Sequence, residues 1–255
     1  MKRVLITGGT SGIGLAAAEC FLQEGAAVAL VGRDKKRGLK AVEYLHSRVP
    51  GGTICFFPGD VSKVSACHEL AKMAVRAMGG IDVLVNSAGI YFERAIEDMT
   101  EDDFDYMMGI NLKGSYFMIQ AVVRYMKEQK HGAIVNVNSD AGLHGNYMCS
   151  SYCASKGGIS MLTKALALEL APWKIRINSV CPGDVLTPMT DRQLEQFADR
   201  DEGLEQIASV YPLKEIGKAS DIGAIIAFLA SDRASFVTGA LWSADGGITA
   251  QIVRI

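Results

Sequence analysis

Tyr152 and Lys156 stand four residues apart in Tyr152-Cys153-Ala154-Ser155-Lys156. Around them Ala154, Ile159, Leu162, Ala165 and Leu166 recur with the period of a helix. The phenol and the ammonium therefore share one helix face, one turn apart. An ammonium beside a phenol favours the phenolate and lowers a pKa that starts near ~10. A proton donor moved toward working pH is what general acid/base catalysis requires. An exposed tyrosine packed on a lysine stem would show the same spacing, so the elements around the pair must decide between the two.

Those elements alternate. Val4-Leu5-Ile6-Thr7 is a short apolar strand feeding Gly8-Gly9-Thr10-Ser11-Gly12-Ile13-Gly14, which opens an apolar helix. Glycines let a backbone turn tightly against a phosphate, and a helix start presents free N–H groups. The loop lacks the Gly-Lys-Ser/Thr of nucleoside triphosphatases. A second strand, Ala27 to Val31, ends at Gly32-Arg33-Asp34. An acidic group at this strand end suits ribose hydroxyls, whereas a basic one suits a 2′-phosphate. Arg33 therefore favours NADP(H) over NAD(H), although Asp34 could turn inward, and Lys35, Lys36 and Arg37 fit a solvated helix start equally well. Thr53 to Phe57 reads as a third strand ending at Gly59-Asp60-Val61, and Ser62 as the cap of the next helix. Ile81 to Val85 runs into Asn86-Ser87-Ala88-Gly89; a long helix from Thr100 to Lys127 contains Asn111; Gly132 to Asn138 delivers Ser139. Beyond Tyr152, strands at Ile175 to Val180 and Gly239 to Ser243 flank a helix at Ala219 to Ala230.

This order implies an α/β chain: one Rossmann-type, doubly wound, parallel seven-stranded sheet with helices on both faces, a single domain over 1–255. The 255 residues carry a formal charge of −2 and 49% hydrophobic residues. Such balance leaves no footprint for nucleic acid and no basic surface for a membrane. The six cysteines form no C-x-x-C pair and no metal-ligand cluster, so they read as reduced thiols of a soluble, cytoplasmic protein.

Six segments together resemble the short-chain dehydrogenase/reductase family over essentially the full length. These are the loop Thr7 to Gly14, Asp60-Val61, Asn86-Ser87-Ala88-Gly89 (with Ser87 where the family has a second Asn), Asn111, the Ser139…Tyr152…Lys156 set with its thirteen-residue step, and Pro182-Gly183-Asp184-Val185-Leu186-Thr187. The resemblance implies a nicotinamide cofactor held by Gly8, Thr10, Ser11, Gly12, Ile13, Gly14, Arg33, Asp60, Val61, Asn86, Ala88 and Gly89, with Pro182, Gly183, Val185 and Thr187 at the nicotinamide. It implies a catalytic tetrad: Tyr152 passing the proton, Lys156 lowering its pKa and holding the ribose, Ser139 bonding the substrate oxygen, and Asn111 supporting a water beside Lys156. It also implies a mobile lid at about 188–211, with Gly203 as a hinge, and a D2 homotetramer or a homodimer paired through the helices around 103–127 and 152–171.

Relatives of this kind take sugars, polyols, steroids, acyl thioesters and ketones. Asp140, Tyr147 and Asp184, together with Ser139 and Tyr152, are the candidate substrate contacts, although Asp140 could instead be bonded to local backbone. They favour a small polar carbonyl or alcohol: a sugar, polyol or hydroxy acid. A 3-oxoacyl thioester reductase is the alternative, and a non-catalytic nucleotide-binding relative a remote one. The apolar tail, 248–255, is expected to dock on its own subunit or a neighbour.

Overall fold

In a computed structural model, residues 1–250 are described; of the tail named above, 251–255 lie outside them. Seven parallel strands form one sheet in the order β3-β2-β1-β4-β5-β6-β9. They are β1 (Arg3–Thr7), β2 (Ala27–Gly32), β3 (Ile54–Pro58), β4 (Val83–Asn86), β5 (Gly132–Val137), β6 (Ile175–Pro182) and β9 (Leu241–Ala244). Helices α1 (Gly12–Gln23), α2 (Lys35–Arg48) and α9 (Ala219–Ala230) cover one face; α3 (Val64–Met78), α5 (Ser115–Gln129) and α6 (Ser150–Leu170) cover the other. The period of the strands sorts the core. Val4 and Ile6 pack with Phe21, Leu45 and Ile226, while Leu5 between them packs with Leu70, Val122 and Leu170 on the opposite side. Both faces are buried, so the strands read as continuous apolar runs.

The strand order reverses direction at β1, whose two neighbours are β2 and β4. A crevice opens there beyond the carboxyl ends of the strands, where ligands of such sheets bind.

Three expectations need correction. Ser62 caps nothing: α3 begins after Lys63, and the Ser62 N–H instead donates to Asp60 Oδ1 at 3.0 Å. The long helix is α4 (Glu101–Met108), capped by Thr100, joined to α5 through a π-helical turn, Gly109–Gly114. That wider turn carries Asn111 inward; such turns are frequent at functional sites. The segment expected as a lid holds two helices, α7 (Pro188–Leu194) and α8 (Arg200–Ser209), flanked by the two-residue strands β7 (Val185–Leu186) and β8 (Gly217–Lys218). Gly203 is not a hinge between them. Asp199 caps α8, so Gly203 falls inside the helix, where a Cβ would stand 2.8 Å from the Phe197 ring.

Candidate active site

The crevice is a cleft of about 1090 Å³. At one end Gly8 turns with φ +65°, and a Cβ on it would lie 2.7 Å from the Ala88 nitrogen. Gly14 sits beneath, where a Cβ would meet the Gly8 oxygen at 2.5 Å. Only bare backbone allows the loop to pass between β4 and α1. Ser11 precedes α1 without a side-chain capping bond, so first-turn N–H groups remain to receive an anion. Thr10, Ser11, Gly12 and Ile13 line this part of the cleft. Thr7 stitches the floor, its hydroxyl accepting from the N–H groups of Ser87 and Ala88. This cradle fits the pyrophosphate of a dinucleotide.

Next to it the cleft is lined by Arg33, Asp60 and Val61. Asp34 faces its own helix, accepting from the Arg37 N–H at 2.9 Å. Arg33 donates to the Tyr106 hydroxyl at 3.1 Å, which holds the guanidinium across the mouth.

The other end holds Tyr152 and Lys156, 8% and 6% exposed. Their placement rests on a buried polar ladder beneath them. Asn86 donates to Asn136, Asn136 to Thr163, and Thr163 pairs with Ser179; Asn138 donates to Ser160, which donates to the Gly142 oxygen. These bonds lock α6 against β4, β5 and β6. Lys156 Nζ donates to the Val137 oxygen at 2.9 Å and lies 5.6 Å from the Tyr152 ring centre. Burial pushes its pKa down to about 8. The phenol of Tyr152 is pushed above its usual range, first by burial and further by the charges of Asp140 and Asp184, while the neighbouring Ser139 hydroxyl acts in the opposite direction. In the protein by itself the Lys156 ammonium is turned to the Val137 backbone carbonyl.

Asn111 is buried behind this pair. Its amide is held by the Ile90 N–H and oxygen and by Ser155 Oγ. Gly89 lies between Asn111 and Lys156: a Cβ there would be 3.5 Å from Asn111 Oδ1 and 4.0 Å from Lys156 Nζ. Asn86 and Gly14 likewise support the site from beneath rather than line it. Ala88, Gly89, Pro182, Gly183, Val185 and Thr187 line the wall where a nicotinamide would rest.

Of the substrate candidates, Ser139, Asp140, Tyr152 and Asp184 line the cleft together. Asp140 is bonded both to local backbone, Ala141 N–H at 2.8 Å, and to the Ser139 hydroxyl at 2.7 Å. Asp184 Oδ2 accepts from Tyr211 Oη at 2.7 Å, and burial raises its pKa. Tyr147 is the correction. It is 89% exposed and outside the cleft, because a turn closed by Cys149 N–H on the Asn146 oxygen puts Tyr147 and Met148 at its corners. Asn146 lines the cleft instead. The sequence reading also missed Tyr91, whose ring meets Tyr152 edge to face at 4.9 Å, along with Glu93 and Tyr211. An aromatic two residues past the Asn-Ser-Ala-Gly strand end was the available signal.

The family profile described as enoyl-(acyl carrier protein) reductase matches residues 8–249. The chain belongs to the short-chain dehydrogenase/reductase family. Among its relatives, the 3-oxoacyl-[acyl-carrier-protein] reductase of Thermotoga maritima is 40% identical over 247 residues, 97% of each chain. The L-rhamnose 1-dehydrogenase (NAD(P)(+)) of Azotobacter vinelandii is 36% identical over 250 residues, 97% of this chain and 96% of that one. The crystal structure of levodione reductase superposes with a TM-score of 0.95 at 33% identity, covering 98% of each chain. As a member of this family the chain is an NAD(P)-dependent oxidoreductase.

A bound nicotinamide supplies the hydride donor or acceptor. What the chain's own residues can do is hold and move a proton. The α6 backbone carries both Tyr152 and Lys156, and the Tyr91 ring packs edge to face on that of Tyr152. Among the described residues no group of three or more His, Cys, Asp or Glu is placed to hold a metal ion, and no helix is long and apolar enough to cross a membrane.

Proposed function

We propose that this protein is an NADP(H)-preferring dehydrogenase of small, neutral, hydroxyl-rich alcohols or their carbonyl counterparts, with Tyr152 as acid/base, Ser139 bonding the reacting oxygen, and Lys156 and Asn111 supporting them. One observation carries the substrate class: Glu93, Asp140 and Asp184 face the Tyr152 end of the cleft together with Tyr91, Asn146 and Tyr211. Carboxylates accept from hydroxyls and repel other carboxylates, so a sugar or polyol suits this end better than a hydroxy acid. NADP(H) is supported at the other end. A Cβ at the strand-end position Gly32 would stand 2.8 Å from Thr10, and among the described residues Arg33 has no carboxylate hydrogen-bond partner. A second reading, 3-oxoacyl thioester reduction, draws on the Thermotoga relative and on the apolar lid residues Met189, Phe197, Ile207 and Val210.

The test is NADP⁺ reduction, followed by absorbance, with D-sorbitol, 2,3-butanediol, 3-hydroxybutyrate and, in reverse with NADPH, an acetoacetyl thioester. Oxidation of the neutral polyols above 3-hydroxybutyrate supports the first reading; thioester reduction exceeding all of them replaces it. Six free cysteines support a reducing compartment such as the cytoplasm. Exposed Met161 and Leu168 on α6, with Phe104 and Tyr116 on α4 and α5, support two-fold pairing into a dimer or D2 tetramer, which a monomer in sedimentation would refute.

A further inference from the structure

Three carboxylates face the Tyr152 end of the cleft, and they are not equally free to meet a substrate. Both oxygens of Asp140 are committed. Its Oδ1 accepts from the Ser139 hydroxyl at 2.7 Å and the Ala141 N–H at 2.8 Å, and its Oδ2 lies 3.4 Å from His144 Nε2. Glu93 is exposed, and its Oε1 accepts from the Tyr91 hydroxyl at 2.5 Å. Asp184 differs from both. Its Oδ2 accepts from the Tyr211 hydroxyl at 2.7 Å, and among the described residues its Oδ1 has no hydrogen-bond partner. The same Tyr211 oxygen accepts from the Asp184 N–H at 2.7 Å, and the Asp184 carbonyl accepts from the Gly217 N–H at 3.0 Å. With an N–H on its lone pair, the Tyr211 hydroxyl aims its hydrogen at Oδ2. Backbone and side chain of Asp184 are thereby fixed together.

Tyr211 itself is held hard. It follows α8, and only 4% of it is exposed. Two glycines make room for its ring: a Cβ on Gly183 would lie 2.6 Å from Tyr211 Cε1, and one on Gly246, at φ +59°, 3.1 Å from Cδ1. The ring is clamped between the turn after β6 and the turn after β9. A side chain that only filled this space would need no hydroxyl, yet this hydroxyl makes two bonds to one residue. We propose that Tyr211 is a positioning residue that fixes Asp184 as the one rigid acceptor for a second hydroxyl of the substrate, so that the site prefers diols and polyols to simple alcohols. This rests on the reading of hydroxyl-rich substrates above and deepens it. Asp184 and Tyr152 line the same end of the cleft, and the charge of Asp184 is felt at the phenol, so the hydroxyl that Oδ1 reads is on a carbon near the reacting one. A hydroxyl donating to a carboxylate makes a charge-assisted bond. A site built for that bond discriminates against the analogue that lacks the hydroxyl, and a pinned acceptor loses little freedom in making it.

The test compares 2,3-butanediol with 2-butanol, which share a carbon chain and differ by one hydroxyl, in NADP⁺ reduction. Wild type should prefer the diol by about tenfold or more in kcat/KM. Tyr211→Phe keeps the ring between the two glycines and removes only the hydroxyl. It should reduce that preference about tenfold, chiefly by raising KM for the diol. Asp184→Ala should reduce it as far, and the double variant no further, since both changes remove one interaction. Equal losses on the two alcohols in Tyr211→Phe, a preference kept in either single variant, or losses that add in the double variant overturn the inference. So does a wild type that oxidises D-sorbitol yet treats the two test alcohols alike, which leaves the reading of hydroxyl-rich substrates standing. A wild type that oxidises none of the three with NADP⁺ or NAD⁺ but reduces an acetoacetyl thioester overturns that reading and this inference with it.

Discussion

Lys156→Met should make this protein more stable at neutral pH while removing a group the active site needs. The lysine is buried, and its pKa is pushed from the ordinary 10.5 down to about 8. That fall corresponds to roughly 3 kcal/mol against the charged ammonium. Methionine has similar length and flexibility and fills the same space without charge. It leaves the Val137 oxygen without its donor, a loss of about 1 kcal/mol, so the expected gain at pH 7 is about 2 kcal/mol. Below pH 8 the lysine is protonated in folded and unfolded states alike, and the folded state bears the whole cost. As pH rises from about 8 to 10.5 the folded amine loses its proton while the unfolded one keeps it, so the cost disappears across that window. Above 10.5 the wild type should equal or exceed the variant. Urea unfolding of both proteins across about pH 7 to 11, compared by midpoint at equal slope, isolates this residue from every other titrating group. A variant less stable than wild type at pH 7, or a difference that does not change with pH, refutes the reasoning.

Three further outcomes are expected. Tyr152→Phe should keep cofactor binding nearly intact and lower kcat by about two orders of magnitude or more, measured in the polyol assay. Arg33→Ala should weaken NADPH binding far more than NADH binding in fluorescence titration; equal losses would restrict Arg33 to stacking on adenine. Gly8→Ala forces a Cβ to within 2.7 Å of the Ala88 nitrogen at a φ of +65°, so it should lower the thermal midpoint and abolish tight binding of either cofactor, by about 2 kcal/mol or more in stability.

Much of the site was legible because its parts obey local rules. The glycine loop, the strand-end Asn86 and the Tyr152–Lys156 pair each sit at an element boundary or on one helix face, where spacing fixes geometry. What was not legible depends on turns and on contacts between distant segments. Tyr147 lies in the same short loop as Asn146, and only the turn closing at Cys149 decides which of them enters the cleft. Gly203 reads as a hinge from its polar surroundings, yet Asp199 starts the helix early enough to bury it against Phe197. Nothing in the spacing shows that Asp140 takes the hydrogen of Ser139, since two neighbouring side chains converge only when the backbone turns into its 3₁₀ helix there. Tyr91 meets Tyr152 across sixty residues of chain, beyond the reach of any periodicity.

The small β7–β8 sheet separates what can vary from what cannot. Val185 pairs with Gly217 and Leu186 with Lys218, so residues 187–216 leave and rejoin the body at adjacent points. A segment whose two ends are pinned side by side behaves as an exchangeable cassette. Its length can change at small entropic cost, about 0.6 kcal/mol for each doubling. New side chains over the substrate end could therefore be recruited by replacing 188–216 with Tyr211 retained for its bond to Asp184, while Thr187, the dinucleotide cradle and the acid/base pair keep their register. Grafting 188–216 from a relative of different substrate preference is the engineering route this geometry opens.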